Sequence, residues 1–173
     1  MDIEELRSRM SPDVQCYAER IMDMYNAPFA RFLGIDIVSV TADSAECSMD
    51  ILPEHMNSMA RAHGGAVYTV MDHAFGVAAN LTRDCTGSSA EIKYYRPSTG
   101  RIRAVATVIN RSRSMEMYDV RAYSQEGKLL ASMTCTAFAI KRDRYGRQAL
   151  PLLRRAGTHQ LHHLPQVLQE DPC

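Results

Sequence analysis

Three hydrophobic patterns run along the chain. Over residues 66–81 apolar side chains are almost unbroken and no polar face is visible. A helix that is apolar all round is expected inside a structure, not on it. Over residues 13–26, Val14, Tyr17, Ala18, Ile21, Met22 and Tyr25 recur at the spacing of one helical face. Ser11 and Pro12 offer that helix a capping hydroxyl and a first-turn proline. Elsewhere the chain alternates. In residues 45–51, Ala45, Cys47, Met49 and Ile51 interleave with Glu46, Ser48 and Asp50, which predicts a half-buried strand. Residues 35–40 read as its neighbour across a turn at 41–44, and residues 88–96, 101–110, 115–124 and 129–141 as four more strands. Residues 27–33 and 83–87 read as connections, and Gly127 as the left-handed residue of a hairpin turn. Short turns between strands imply an antiparallel sheet, whose inner face must cover the apolar helix. The expected class is α+β.

The apolar stretch carries one carboxylate, Asp72, with His73 beside it and His63-Gly64-Gly65 in front. Burying an ionised carboxylate costs several kcal/mol or more unless it is paired or hydrogen-bonded. The amides at the start of a helix are unpaired, and its dipole favours negative charge there. A helix start suited to an oxyanion, followed by a lone acid, points to a reaction site. Asp72 comes eight residues after Gly64, about 12 Å along a helix axis at roughly 1.5 Å per residue. One chain is therefore not expected to present both groups to a single carbonyl. His73 and Asp72 are neighbours in sequence and point apart on a helix, so they do not read as a dyad.

Composition narrows the class further. A chain of 173 residues fits one domain with a sizeable core. Twenty basic and 20 acidic residues give zero net charge, with no bulk reason to expect nucleic acid or a membrane surface. Cys16, Cys47, Cys85, Cys135 and Cys173 are widely spread and read as small core residues in a reducing compartment, not as a disulfide framework. The acidic start of the chain does not read as a signal peptide, and a cytoplasmic location is expected. Past residue 141 the chain turns basic, with Arg142, Arg144, Arg147, Arg154 and Arg155. His159, His162 and His163 have no carboxylate or cysteine framing them, so no metal site is expected. The expected organisation is an N-terminal helical extension over 1–26, a main domain over 27–141 and a basic tail over 142–173.

Several short motifs occur in one order: Pro28-Phe29-Ala30-Arg31-Phe32-Leu33-Gly34-Ile35; Asn57, five residues, then His63-Gly64-Gly65; Asp72-His73-Ala74 and Gly76; Tyr94-Tyr95-Arg96-Pro97; and Gly127-Lys128-Leu129-Leu130-Ala131. From about residue 27 to 140 this resembles the hotdog-fold acyl-CoA thioesterases of the phenylacetate-pathway (PaaI-like) branch. The resemblance implies a long central helix wrapped by a curved antiparallel sheet. It also implies a homodimer, further paired into a dimer of dimers, with the active site between subunits and acyl-CoA as substrate. No cofactor is implied, since coenzyme A is part of the substrate. Carried over by position, Asp72 activates water or attacks the thioester, the Gly64 amide holds the carbonyl oxygen, and His63 and Asn57 orient substrate. Ser88, or Ser89 beside it, supplies an assisting hydroxyl, because Gly87 occupies the position nearest the family's usual one. Arg96, Arg111, Ser112 and Arg113 are the candidates for holding coenzyme A, although relatives often carry a glycine between the last two basic residues.

Each residue also has a structural alternative. Asp72 suits a buried network, His63 a loop closure, Asn57 a turn, and the arginines solvated strand ends. Two other functions compete with thioester hydrolysis: a non-catalytic acyl-CoA-binding or regulatory module, and a hydratase or dehydratase on the same scaffold. A pure binder has no need of an acid in its acyl wall. Met56, Met59, Tyr68, Met71 and Phe75 suggest an adaptable apolar acyl tunnel.

Overall fold

The computed structural model describes residues 1–140, so the basic tail expected over 142–173 and its histidines lie outside the described residues. Four helices, α1 (Ile3–Ser8), α2 (Ala18–Tyr25), α3 (Pro28–Phe32) and α4 (Gly64–Ala79), accompany six strands. The strands are β1 (Asp36–Val40), β2 (Ser44–Ile51), β3 (Cys85–Tyr94), β4 (Gly100–Arg111), β5 (Met115–Ser124) and β6 (Leu129–Ala139). They form one sheet in the order β1-β2-β4-β5-β6-β3, with every neighbouring pair antiparallel. The alternation predicted for β2 holds: Ala45, Cys47, Met49 and Ile51 face the core. Gly127 takes the left-handed conformation, at φ +77°. Cys47 and Cys135 are buried free thiols and Cys85 is a half-buried one.

Some boundaries differ from the expectation. The helix expected over 13–26 begins as a 3-10 turn over Pro12–Tyr17 and becomes α-helical at Ala18. Ser11 makes no side-chain cap bond, and its hydroxyl is buried without a partner among the described residues. The connection at 27–33 contains α3, started by Pro28 at its first position. A short helix, α1, precedes everything; the Asp2 carboxylate caps it by accepting the Glu5 N–H at 2.8 Å. The turn at 83–87 closes early, because the Asn80 side chain accepts the Cys85 N–H at 2.7 Å and starts β3 there. Leu6, Met10, Val14, Ala18 and Ile21 belong to the same buried cluster as the inner face of the sheet. The N-terminal helices are thus built into the core.

The central helix corrects one expectation. Val67, Val70, Met71, Ala74, Val77 and Ala78 are buried against the sheet, but Gly65 and Asp72 are exposed. The sheet covers one side of α4 and the N-terminal helices another, which leaves a stripe open in the single chain. Strand β3 lies at the sheet edge, exposed on both faces apart from half-buried Cys85 and Ile92. Its outer backbone groups are a template for pairing with another chain. At the far end of α4, Glu116 is buried and bonds Arg83 at 2.6 Å and the Tyr118 hydroxyl, while Tyr118 packs edge-on against Phe75.

Candidate active site

The start of α4 is held from three directions. His63 sits at the cap with extended backbone, and its Nδ1 accepts the Gly65 N–H at 2.9 Å. A Cβ at Gly65 would lie 3.0 Å from that nitrogen, so glycine is what allows the imidazole so close. The His63 N–H donates to the His55 carbonyl at 2.8 Å, and the Tyr94 hydroxyl donates to the Gly64 carbonyl at 3.0 Å. The Gly64 N–H, at the first helical position, bonds no acceptor among the described residues. It opens on a cavity of about 330 Å³ that Tyr94 and Arg96 also line. Tyr94 carries this anchor without having been singled out beyond its place in the Tyr94-Tyr95-Arg96-Pro97 motif.

Asn57 has the turn role. Its Oδ1 accepts the N–H groups of Met59 at 2.9 Å and Arg61 at 3.4 Å, closing a loop in which Ala60 takes φ +54°. That loop delivers the chain to His63. Among the described residues neither side chain bonds beyond the loop and cap, so both build the platform that sets Gly64.

Asp72 forms no ion pair among the described residues. Its side chain is open to solvent on one side and crowded on the other, and the crowding holds its pKa above the ordinary carboxylate value. Two neighbours feel its charge. The Cys135 thiol on β6 is pushed up to about 12, first by burial and then by Asp72. The Tyr68 hydroxyl, one turn back on α4, is raised by burial and then by Asp72. His73 lies on another side of the helix, facing a cavity between α2 and α4, so the two residues form no dyad.

Ser88 occupies a bulge in β3, where the pairing with β6 shifts between Gly87 and Ser89. Its hydroxyl donates to the Thr136 carbonyl at 3.2 Å. Arg96 is exposed and donates to the Leu129 carbonyl at 2.7 Å. Arg111, Ser112 and Arg113 sit at the β4–β5 hairpin, by the opposite end of α4, and do not meet Arg96 in this chain. Arg111 is taken up by Asp43 at 2.7 Å and the Ala42 carbonyl at 2.6 Å. The Ser112 hydroxyl is taken up by Met115 at 2.9 Å. Arg113 makes no side-chain bond among the described residues; only its carbonyl is used, by Arg83. Among the described residues there is no cluster of metal-binding side chains and no helix long and apolar enough to cross a membrane.

Residues 19–138 match a family described as a domain of unknown function (DUF4442). The acyl-coenzyme A thioesterase PaaI of Escherichia coli K12 is 28% identical over 109 residues, which is 61% of this chain and 78% of that protein. The structure of the E. coli PaaI protein from the phenylacetic acid degradation operon superposes with a TM-score of 0.71 at 26% identity, covering 74% of this chain and 96% of that one. A point mutant of the phenylacetic acid degradation protein PaaI from Thermus thermophilus is 31% identical, covering 65% of this chain and 99% of that one with a TM-score of 0.63.

Proposed function

The chain belongs to the DUF4442 family as a PaaI-like thioesterase of the hotdog fold, and from that premise we propose that it hydrolyses acyl-CoA thioesters to free acid and coenzyme A at a site completed by a second copy. The observation that carries this is α4 itself. It offers an amide at Gly64 and, halfway along, a carboxylate at Asp72 with a raised pKa, neither with a partner among the described residues. In the reaction, the Gly64 N–H holds the thioester oxygen as it becomes an oxyanion. Asp72 either takes a proton from the attacking water or itself attacks the carbon, giving an anhydride that water then opens. The carbon–sulfur bond breaks and coenzyme A leaves as the thiol. Water is the only co-reactant, so no cofactor is needed.

The second copy follows from distance. Gly64 and Asp72 are about 12 Å apart along one helix at roughly 1.5 Å per residue, so a thioester carbon touching both draws them from two chains. Docking along the exposed β3 edge joins two sheets and makes a homodimer. On the outer sheet face, Ile109, Met115, Met117 and Phe138 are exposed; stacking two dimers there gives a dimer of dimers. Arg96, beside the Gly64 cavity, and the unengaged Arg113 are the candidates for coenzyme A phosphates. Arg111 and Ser112 serve the hairpin instead, and Ser88 serves its bulge. The test is a panel of acyl-CoA thioesters with thiol release followed in wild type and Asp72→Asn. Asp72→Asn lowers kcat by about 10²–10⁴-fold, the usual contribution of a positioned base. Tight acyl-CoA binding by a wild type that turns none over makes the chain a binding module instead.

A further inference from the structure

An oxyanion donor works only when it is aimed, and Gly64 has no side chain with which to hold itself. Two peptide planes meet at its Cα. The plane before it carries the Gly64 N–H and is held by the His63 carbonyl, which accepts the Ala66 N–H at 2.9 Å and the Val67 N–H at 3.2 Å. The plane after it is held at both ends by side chains. Its oxygen, the Gly64 carbonyl, accepts the Tyr94 hydroxyl at 3.0 Å. Its N–H, that of Gly65, donates to His63 Nδ1 at 2.9 Å. Hydrogen bonds linked through one peptide polarise and strengthen each other.

Tyr94 differs from the other holders in its origin. His63 and Asn57 belong to the loop that leads into α4, whereas Tyr94 comes from the end of β3, 30 residues along the chain. The sheet fixes its position. Tyr94 opposes Ala131 of β6, and the Tyr95 and Arg96 N–H groups after it both donate to the Leu130 carbonyl, at 2.8 and 3.2 Å. Its ring rests against the helix start, since a Cβ on Gly64 would meet it at 3.6 Å, and it lines the cavity that Gly64 also lines. Burial raises the pKa of its hydroxyl, which therefore keeps its proton, and so its donor, at neutral pH. A donor must be held to within about 10–20° to be fully effective, and Tyr94 braces this one against the sheet.

We infer that Tyr94 is a positioning residue for the hydrolysis: its hydroxyl fixes the peptide after Gly64 and so keeps the Gly64 N–H aimed at the thioester oxygen. This rests on the thioesterase function proposed above. The experiment removes only that hydroxyl, by Tyr94→Phe, in three backgrounds of the full chain: wild type, Gly64→Ala and Gly64→Pro. Tyr94 is 52% exposed and phenylalanine keeps its ring, so the variant folds. Both Gly64 substitutions place a Cβ against that ring and keep the carbonyl, but only proline removes the N–H. In wild type, Tyr94→Phe lowers kcat by about tenfold and leaves KM within about twofold, because a misaimed donor loses transition-state stabilisation and not substrate binding. The same loss appears in Gly64→Ala. In Gly64→Pro it shrinks to less than about twofold, since no donor is left to aim. A purely structural hydroxyl would cost the same factor in all three. That result, or a Tyr94→Phe enzyme with kcat within about twofold of wild type, overturns the inference and leaves the thioesterase function standing. Gly64→Pro as active as Gly64→Ala removes the donor itself, and the role of Tyr94 falls with it. Hydrolysis of no acyl-CoA at all overturns both the function and the inference.

Discussion

The Gly64 amide cannot be removed by trimming a side chain, but proline removes it. The position suits that substitution on three counts. Gly64 is the first residue of α4, where proline's fixed φ is already helical and its missing N–H breaks no helical bond. His63 before it has φ −62° and ψ 140°, the extended conformation that a following proline requires. A Cβ at Gly64 meets the Tyr94 ring at 3.6 Å, an ordinary contact. Gly64→Pro should therefore fold with a thermal midpoint close to wild type while lacking the donor. Losing one oxyanion donor costs about 10²–10³-fold in kcat, or roughly 2.7–4 kcal/mol. Gly64→Ala is the control, since it adds the same Cβ and keeps the N–H. Thiol release gives kcat and KM for each protein, and thermal unfolding checks the fold. A folded Gly64→Pro enzyme with kcat within about threefold of Gly64→Ala would refute the assignment of the helix start as oxyanion donor.

Asp72 ties activity to pH in one direction and stability in the other. It must be ionised to act, so kcat/KM climbs with pH through a value above the ordinary carboxylate range, and Asp72→Asn loses that limb. Its raised native pKa means the folded state binds more protons than the unfolded one between their two pKa values. Stability therefore falls as pH rises through that window, and Asp72→Asn at neutral pH unfolds no earlier than wild type in a thermal scan. Co-refolding Gly64→Pro with Asp72→Asn gives half mixed dimers, each with one intact site of two; total activity of about a quarter of wild type is expected. Activity no higher than either parent, in mixed dimers verified by mass, places both groups in one chain's site. Glu116→Ala, which strips Arg83 and Tyr118 of a partner buried to 6% side-chain exposure, destabilises by about 3 kcal/mol in denaturant unfolding.

The strands were legible because alternation depends on two faces only, and β2 shows it with core residues at every second position from Ala45 to Ile51. Short helices were not. α1 and α3 have too few residues to show a period, and their caps, Asp2 and Pro28, are signals of one residue each. In the candidate site, the backbone bonds of His63 and Asn57 were not legible in the motif that singles these residues out, because an imidazole or amide that bonds its own backbone looks in sequence like one that bonds substrate. Arg111 raises the same difficulty: its partner Asp43 is distant in the chain and is met only through the register of the sheet. Tyr94 reaches Gly64 from the last residue of β3, a meeting that no local pattern encodes.

The apolar run over 66–81 was the strongest signal and also misplaced Asp72. An isolated chain does not bury all of α4, and the positions left open or half-buried include Gly65, Tyr68, Thr69, Asp72 and Gly76. That stripe lies beside the β3 edge. The charge of Asp72 is felt at Cys135, whose strand partner on β3 is Ala90, and Tyr94 of β3 holds the Gly64 carbonyl. Among the described residues, one flank thus carries an unpaired strand edge, an unbonded helix amide and an unpaired carboxylate. In a twofold dimer with antiparallel central helices, residues equally far before and after the axis face each other. For Gly64 of one chain to face Asp72 of the other, the axis must pass residue 68, midway between them. Tyr68 stands there, half-buried in the single chain, so a shared site requires the two Tyr68 rings to meet at the axis, each one turn from its own chain's Asp72.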